Sequence, residues 1–143
     1  MKKFYLFFIL LVAAILGGTA AFFYVWNKPK KSIAKIVADY SIATDSLAGE
    51  FLRDTALADN KYTGKVVVLN GVIDEIEIGM AGHVNFIFVQ DSFEIQCTLD
   101  SLASAQANTY KVNDSVRLKG KYVGYLIDDI FGLQVKLNNC ITQ

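Results

Sequence analysis

From Phe4 to Trp26 the chain carries no charged residue, only apolar, small and hydroxyl side chains. At about 1.5 Å per helical residue, such a run is long enough to cross a hydrocarbon core of about 30 Å. Tyr5 lies near one end and Tyr24 and Trp26 at the other, flanked by Lys2 and Lys3 before the run and Lys28, Lys30 and Lys31 after it. Aromatic and basic residues at both interfaces predict a transmembrane helix, with residues 4–26 contacting the membrane. The competing reading is a secretory signal cleaved after Gly18-Thr19-Ala20. Cleavage there would leave Ala21 to Trp26 as an exposed apolar terminus, so the uncleaved anchor is expected. The segment holds no cysteine to carry a lipid.

Beyond the polar tether Lys28-Pro29-Lys30-Lys31 the pattern is weak as far as Tyr40. Thr44-Asp45-Ser46 then supplies helix-capping chemistry, and Leu47, Phe51, Thr55, Ala58 and Tyr62 recur at three- and four-residue spacing. One helix with a single apolar face is expected there. Next comes the β-branched run Val66-Val67-Val68-Leu69, with Gly71 marking an expected bend, and then Ile76 and Ile78 alternating with Glu75 and Glu77. Further strands are expected over Val84–Val89, Phe93–Leu99, Val116–Tyr122 and about Ile130–Ile141, with a short helix capped by Asp100-Ser101 after the third strand. Five strands in β-β-β-α-β-β order with a kinked first strand predict a mainly β domain with helices. Its expected core is a five-stranded OB-fold barrel preceded by a helix and the N-terminal transmembrane helix. The expected organisation is anchor and basic tether (1–31), helical lead-in (32–60) and barrel (61–143).

The formal net charge of zero conceals a split. All acids lie beyond the tether, where nine bases face fourteen acids, a net of −5. An acidic domain repels phosphate, whereas nucleic-acid binders draw affinity from counterions released at Lys and Arg. Nucleic acid is therefore not the expected partner. The heavier basic flank after the apolar run argues for a cytoplasmic domain, but large following domains translocate largely regardless of charge. The expected location is the inner membrane, single-pass, with the domain on the extracytoplasmic side.

Candidate chemistry is sparse. Arg117, Lys119 and Lys121 alternate along one strand and share a face that could hold phosphates, or that could be a solvated strand face. Phe86 and Phe88 share one parity on the second strand, where they could stack bases or fill the core. The single histidine, His83, with Cys97 and Cys140 offers neither the ligand count nor the spacing of a zinc site. No motif sets a serine against His83, and Asp128-Asp129 falls in an expected hairpin loop, so no catalytic group, metal or cofactor is expected. Those absences predict a non-enzyme, a binding module for a protein, peptide or glycan.

Several stretches resemble a known family: "ALADNKYTGKVVVLNGVIDEIE", "IQCTLD", "VNDSVRLKGKYVGY" and "VKLNNCI", with "NKPKK" as the entry after an apolar segment. From about Leu47 onward the chain resembles the bacterial tRNA anticodon-binding-like OB-fold domains of membrane-attached proteins. That resemblance implies the fold and the membrane setting, not a ligand. Asn113 stands where the family's turn suggests glycine, and asparagine tolerates the same left-handed backbone. In an OB barrel the third and fifth strands are neighbours, which makes Cys97 and Cys140 a candidate disulfide. The inward parity of Leu133, Val135 and Leu137 turns Cys140 outward unless Asn138-Asn139 bulges, so a disulfide and two free thiols are both open.

Overall fold

The computed structural model describes residues 2–27, 32–79, 82–130 and 132–143, with side chains at residue 9 and from residue 11 onward. The chain forms two compact units, Met1–Lys31 and Ser32–Gln143. In the first, α1 (Lys2–Trp26) is a helix of 25 residues. Within it the hydroxyl of Thr19 donates to the Ile15 and Leu16 carbonyls, which satisfies that polar group inside the helix. Among the residues described in full, no helix is long and apolar enough to cross a membrane. The tether lysines Lys28, Lys30 and Lys31 lie outside the described residues.

The second unit begins with a 3-10 turn (Ile33–Lys35) and a short strand β1 (Tyr40–Ala43), so the expected helical lead-in is only partly helical. Helices α2 (Thr44–Arg53) and α3 (Thr55–Tyr62) follow. The single helix expected here is broken at Asp54, whose extended backbone ends α2 and whose carboxylate accepts from the Leu57 N–H to cap α3. Then come β2 (Val66–Val72), β3 (Glu75–Ile78), β4 (Val84–Gln90) and β5 (Phe93–Leu99). The order closes with α4 (Ser101–Gln106), β6 (Ser115–Asp128) and β7 (Gly132–Thr142). Asp100 caps α4 through the Ala103 N–H, and Asn113 takes φ +74° in the turn before β6.

Among the described residues, seven strands form one sheet in the order β1-β2-β6-β7-β5-β4-β3. The β1–β2 and β5–β7 pairs are parallel and the rest antiparallel. Two differences separate this from the expected five strands: the lead-in adds β1, and the first barrel strand is split into β2 and β3. The split falls at Ile73-Asp74, not at Gly71. Ile73 exchanges main-chain bonds with Asn113 and Asp114 at the entry to β6, whereas the Asp74 N–H bonds to Ile87 on β4. Gly71 serves a close approach instead, since a Cβ there would lie 2.5 Å from the Thr44 methyl. The ladder is thus open, because β2 and β3 are not paired with each other, although only two residues separate them.

The core gathers the inward rows Val67 and Leu69, Phe86 and Phe88, Phe93 to Leu99, Leu118 and Tyr122, and Val135 to Cys140. At one end Phe51 of α2 packs against Phe93 and Tyr122, each at 5.9 Å between rings. At the other, Ala103 and Ala107 are buried and Tyr110 meets Phe86 edge to face at 5.6 Å. Strand β2 is buried on both faces, which is why its run of valines does not alternate.

Candidate binding face

The two phenylalanines considered for base stacking are core residues, Phe86 at 0% and Phe88 at 2% exposure. Their common parity turns both into the core, so neither ring is available to a ligand. The basic stripe is also not a continuous surface. Arg117 and Lys121 are exposed, but Lys119 between them is only 6% exposed. Its Nζ donates to the Ala34 carbonyl at 3.3 Å, and the 3-10 turn lies against β6 and β7. Asp39 fastens the same segment. Its N–H donates to the Val66 carbonyl at 2.8 Å, and its Oδ2 accepts from the Val66 N–H at 2.9 Å.

What the sheet does present is the outer face of β4, β5 and β7. Burial alternates residue by residue along β5, leaving Glu94, Gln96 and Thr98 turned outward. In register beside them stand Asn85 and Ile87 on β4 and Gln134 and Lys136 on β7, with Glu75 and Glu77 on the edge strand β3. Gln134 donates to Glu94. The Asn85 Oδ1 is buried without a hydrogen-bond partner among the described residues. Ile87 is buried among these polar neighbours. The face is rich in amides and acids, with Lys136 its one cation among the residues named, and it suits hydrogen-bonding ligands better than polyanions. The reading from sequence missed it, although the polar half of "FEIQCTL" was its signal.

Two of the clefts lined by described residues lie beside these elements. The first, about 440 Å³, lies between α2 and α3 and is lined by Glu50, Arg53, Asp54, Leu57, Ala58 and Lys61. One ion pair lies within it: Lys61 Nζ is 2.7 Å from Glu50 and 4.9 Å from the Tyr62 ring centre, and the Tyr62 hydroxyl donates to Glu50 at 2.9 Å. The hydrogen bond from Lys61 holds the Glu50 carboxyl below its usual range, against the opposing effect of burial. The same bond raises the Lys61 ammonium, and burial raises the Tyr62 phenol. The second cleft, about 280 Å³, sits where β2 and β4 diverge. There Asp74 accepts from the Val89 N–H at 2.7 Å and Gln90 donates to Asp45, so both carboxylates already serve the fold.

Cys97 and Cys140 are free and wholly buried on neighbouring strands. Interaction with the Cys97 thiol and burial together push the Cys140 thiol well above its ordinary value. Among the described residues, no three of His, Cys, Asp and Glu cluster as a metal site would require.

Comparison with solved structures finds a lipoprotein of Klebsiella pneumoniae to which nucleic-acid binding is ascribed. The TM-score is 0.55 at 20% identity, over 81% of this chain and 99% of the other. That likeness shows the fold alone. Two aminoacyl-tRNA synthetase structures are matched over about a fifth of their own length. The Entamoeba histolytica asparaginyl enzyme with its adenylate gives 0.40 at 17% identity, over 55% of this chain and 20% of that one. A Leishmania major protein assigned as an aspartyl enzyme gives 0.45 at 9% identity, over 81% and 22%. At those scores neither carries an argument. No curated protein matches the chain. The family profile described as tRNA_anti-like covers residues 1–140, and the chain, with its OB-fold sheet and capping helices, belongs to the tRNA_anti-like family.

Proposed function

We propose that this chain is a non-catalytic binding module tethered to the membrane by residues 4–26, its OB-fold domain lying outside the cytoplasm. The domain recognises a protein, peptide or glycan through the outer face of β4, β5 and β7. One observation carries this reading over the nucleic-acid alternative: three of the five side chains a nucleic acid would use are already engaged by the protein. Phe86 and Phe88 fill the core and Lys119 lies under the lead-in. The net charge of −5 beyond the tether supports it. The tether rests on an uncharged run of barrel-independent sequence folded as α1, with basic residues on both sides.

The second reading, a single-stranded nucleic-acid binder on the cytoplasmic side, draws on the activity ascribed to the Klebsiella lipoprotein and on the exposed Arg117 and Lys121. Titration of fluorescent RNA and DNA oligonucleotides with residues 32–143 separates the two. The expected outcome is no salt-sensitive complex at physiological ionic strength. Micromolar affinity that falls steeply with salt and with Arg117→Ala or Lys121→Ala establishes the second reading. Protease added to intact spheroplasts tests the placement: removal of the domain is expected, and full protection reverses the orientation.

A further inference from the structure

We propose that Cys97 and Cys140 are a disulfide site, oxidised by a thiol–disulfide oxidoreductase while the domain folds outside the cytoplasm and sealed inside once the sheet is complete. The proposal rests on the extracytoplasmic placement above.

The backbone departs from regular alternation to put these sulfurs on one side of the β5–β7 seam. Along β7 the inward residues are Leu133, Val135 and Leu137, so strict alternation would turn Cys140 outward. The ladder shows why it does not. Cys97 pairs with Leu137 and Leu99 with Cys140, two steps on β5 against three on β7. The additional residue is accommodated at Asn138-Asn139, where Asn139 takes φ +54°. The bulge restores Cys140 to the side that Cys97 occupies, and both end at 0% exposure. Strand β6 completes the site from above with Gly120, where a Cβ would lie 2.4 Å from the Cys140 sulfur. Bulge, glycine and both buried thiols thus share one side of the β5–β7 seam, with Cys97 and Cys140 on adjacent register pairs, and Cys97 is the leading influence on the Cys140 thiol.

The chemistry balances without a cofactor. The thiolate of one cysteine attacks the oxidoreductase disulfide, giving a mixed disulfide and releasing one enzyme thiol. The thiolate of the second cysteine then displaces the other enzyme sulfur. The chain gains an S–S bond, two protons leave, and the oxidoreductase departs as a dithiol carrying the two electrons. Because neither sulfur is exposed in the finished fold, this exchange precedes the docking of β7. The product is a permanent staple between residues 97 and 140, not a reversible switch.

The test uses the full chain in its membrane. Cells are quenched in acid, and free thiols are alkylated in denaturant with a mass-tagged maleimide, with and without prior reduction. The expected result is no tag before reduction and two tags after it. Reduction should also lower the thermal midpoint by roughly 10 °C or more. Two tags before reduction, with the domain open to protease in spheroplasts, overturn the proposal. Two tags with the domain protected locate the failure in the placement. The detergent-purified chain, reduced, denatured and refolded in glutathione redox buffer, then decides the pair: recovery of the disulfide supports it, and free thiols overturn it.

Discussion

The Nζ of Lys119 donates to the main-chain oxygen of Ala34 at 3.3 Å, joining β6 to a residue 85 positions earlier. This bond makes Lys119 a structural residue of the lead-in and not a member of an open basic stripe. Lys119→Ala should destabilise residues 32–143 by about 1–2 kcal/mol in urea unfolding, through the lost packing of its stem and the orphaned carbonyl. Arg117→Ala, at an exposed position, should change stability by less than about 0.5 kcal/mol. Equal costs for the two would show that the covering segment contributes nothing.

Asp39 holds the same segment from the other side, accepting from the Val66 N–H at 2.9 Å with Lys65 Nζ at 3.8 Å. Asp39→Ala removes a charge-assisted bond to a main-chain donor, at a cost of about 1 kcal/mol. Hydrogen exchange should report the loss locally. The Val66 amide loses protection while amides in the centre of β5 keep theirs, because β1 and the turn before it open without the sheet.

How legible these features were depends on whether the pattern was local. Strand β5 runs from Phe93 to Leu99 as expected, because its two faces meet different media and burial alternates without a break. The bulge at Asn138-Asn139 was legible as a condition on Cys140. The break at Asp54 was not, because the apolar spacing from Phe51 to Ala58 continues across it; the overlooked signal was the capping sequence Asp54-Thr55. Strand β1 has only four residues and no alternation of its own strong enough to mark it. Parity placed Phe86 and Phe88 on one face without saying which face was wet. The cover over Lys119 is a long-range contact, which no local period contains.

Stability should depend on acid pH through Glu50. Its carboxyl is held below the ordinary 4.5, first by the hydrogen bond from Lys61, with burial opposing and the Tyr62 hydroxyl assisting. A depressed folded-state value means the contribution is fully present above the unfolded value and is lost as pH falls through the folded one. The pair is partly exposed, so its worth at neutral pH is about 1 kcal/mol or less. The stability gap between the parent and Glu50→Gln should therefore shrink between neutral pH and about pH 3. A gap that stays constant across that range would falsify the role given to the ion pair.

At the alkaline end the relevant group is Tyr122, buried in the core with its hydroxyl donating to Asp59 Oδ1 at 2.6 Å. Burial first, and then Asp59, raise the phenol well above its ordinary 10.0. A raised value gives stability that is present below the unfolded value and lost as pH rises toward the folded one. Tyr122→Phe should cost about 1–2 kcal/mol at neutral pH by removing the short hydrogen bond to Asp59, which then keeps only the longer one from the Thr63 hydroxyl. The variant should also lose less stability than the parent above about pH 10, which alkaline urea titrations would show.

Gly120 gives the most specific test of packing at the cysteine site. Its backbone does not need glycine, because its φ lies outside the left-handed range, and alanine in a central strand would otherwise be acceptable. The obstacle is the neighbour: a Cβ would stand 2.4 Å from the Cys140 sulfur and 3.3 Å from Leu137. Gly120→Ala should therefore destabilise the reduced protein by about 1–3 kcal/mol through overpacking. Cys140→Ala alone should also destabilise, by about 1–2 kcal/mol, because it leaves a small void at a fully buried position. Together the two changes trade one atom of volume for another across the β6–β7 seam. The double variant should be more stable than the sum of the single costs implies, with a coupling of about 1 kcal/mol or more. Urea unfolding of all four proteins with thiols kept reduced measures this without interference from a disulfide. Strict additivity would mean that the alanine is accommodated by a shift of β6 away from β7, and that the sulfur does not sit against Gly120.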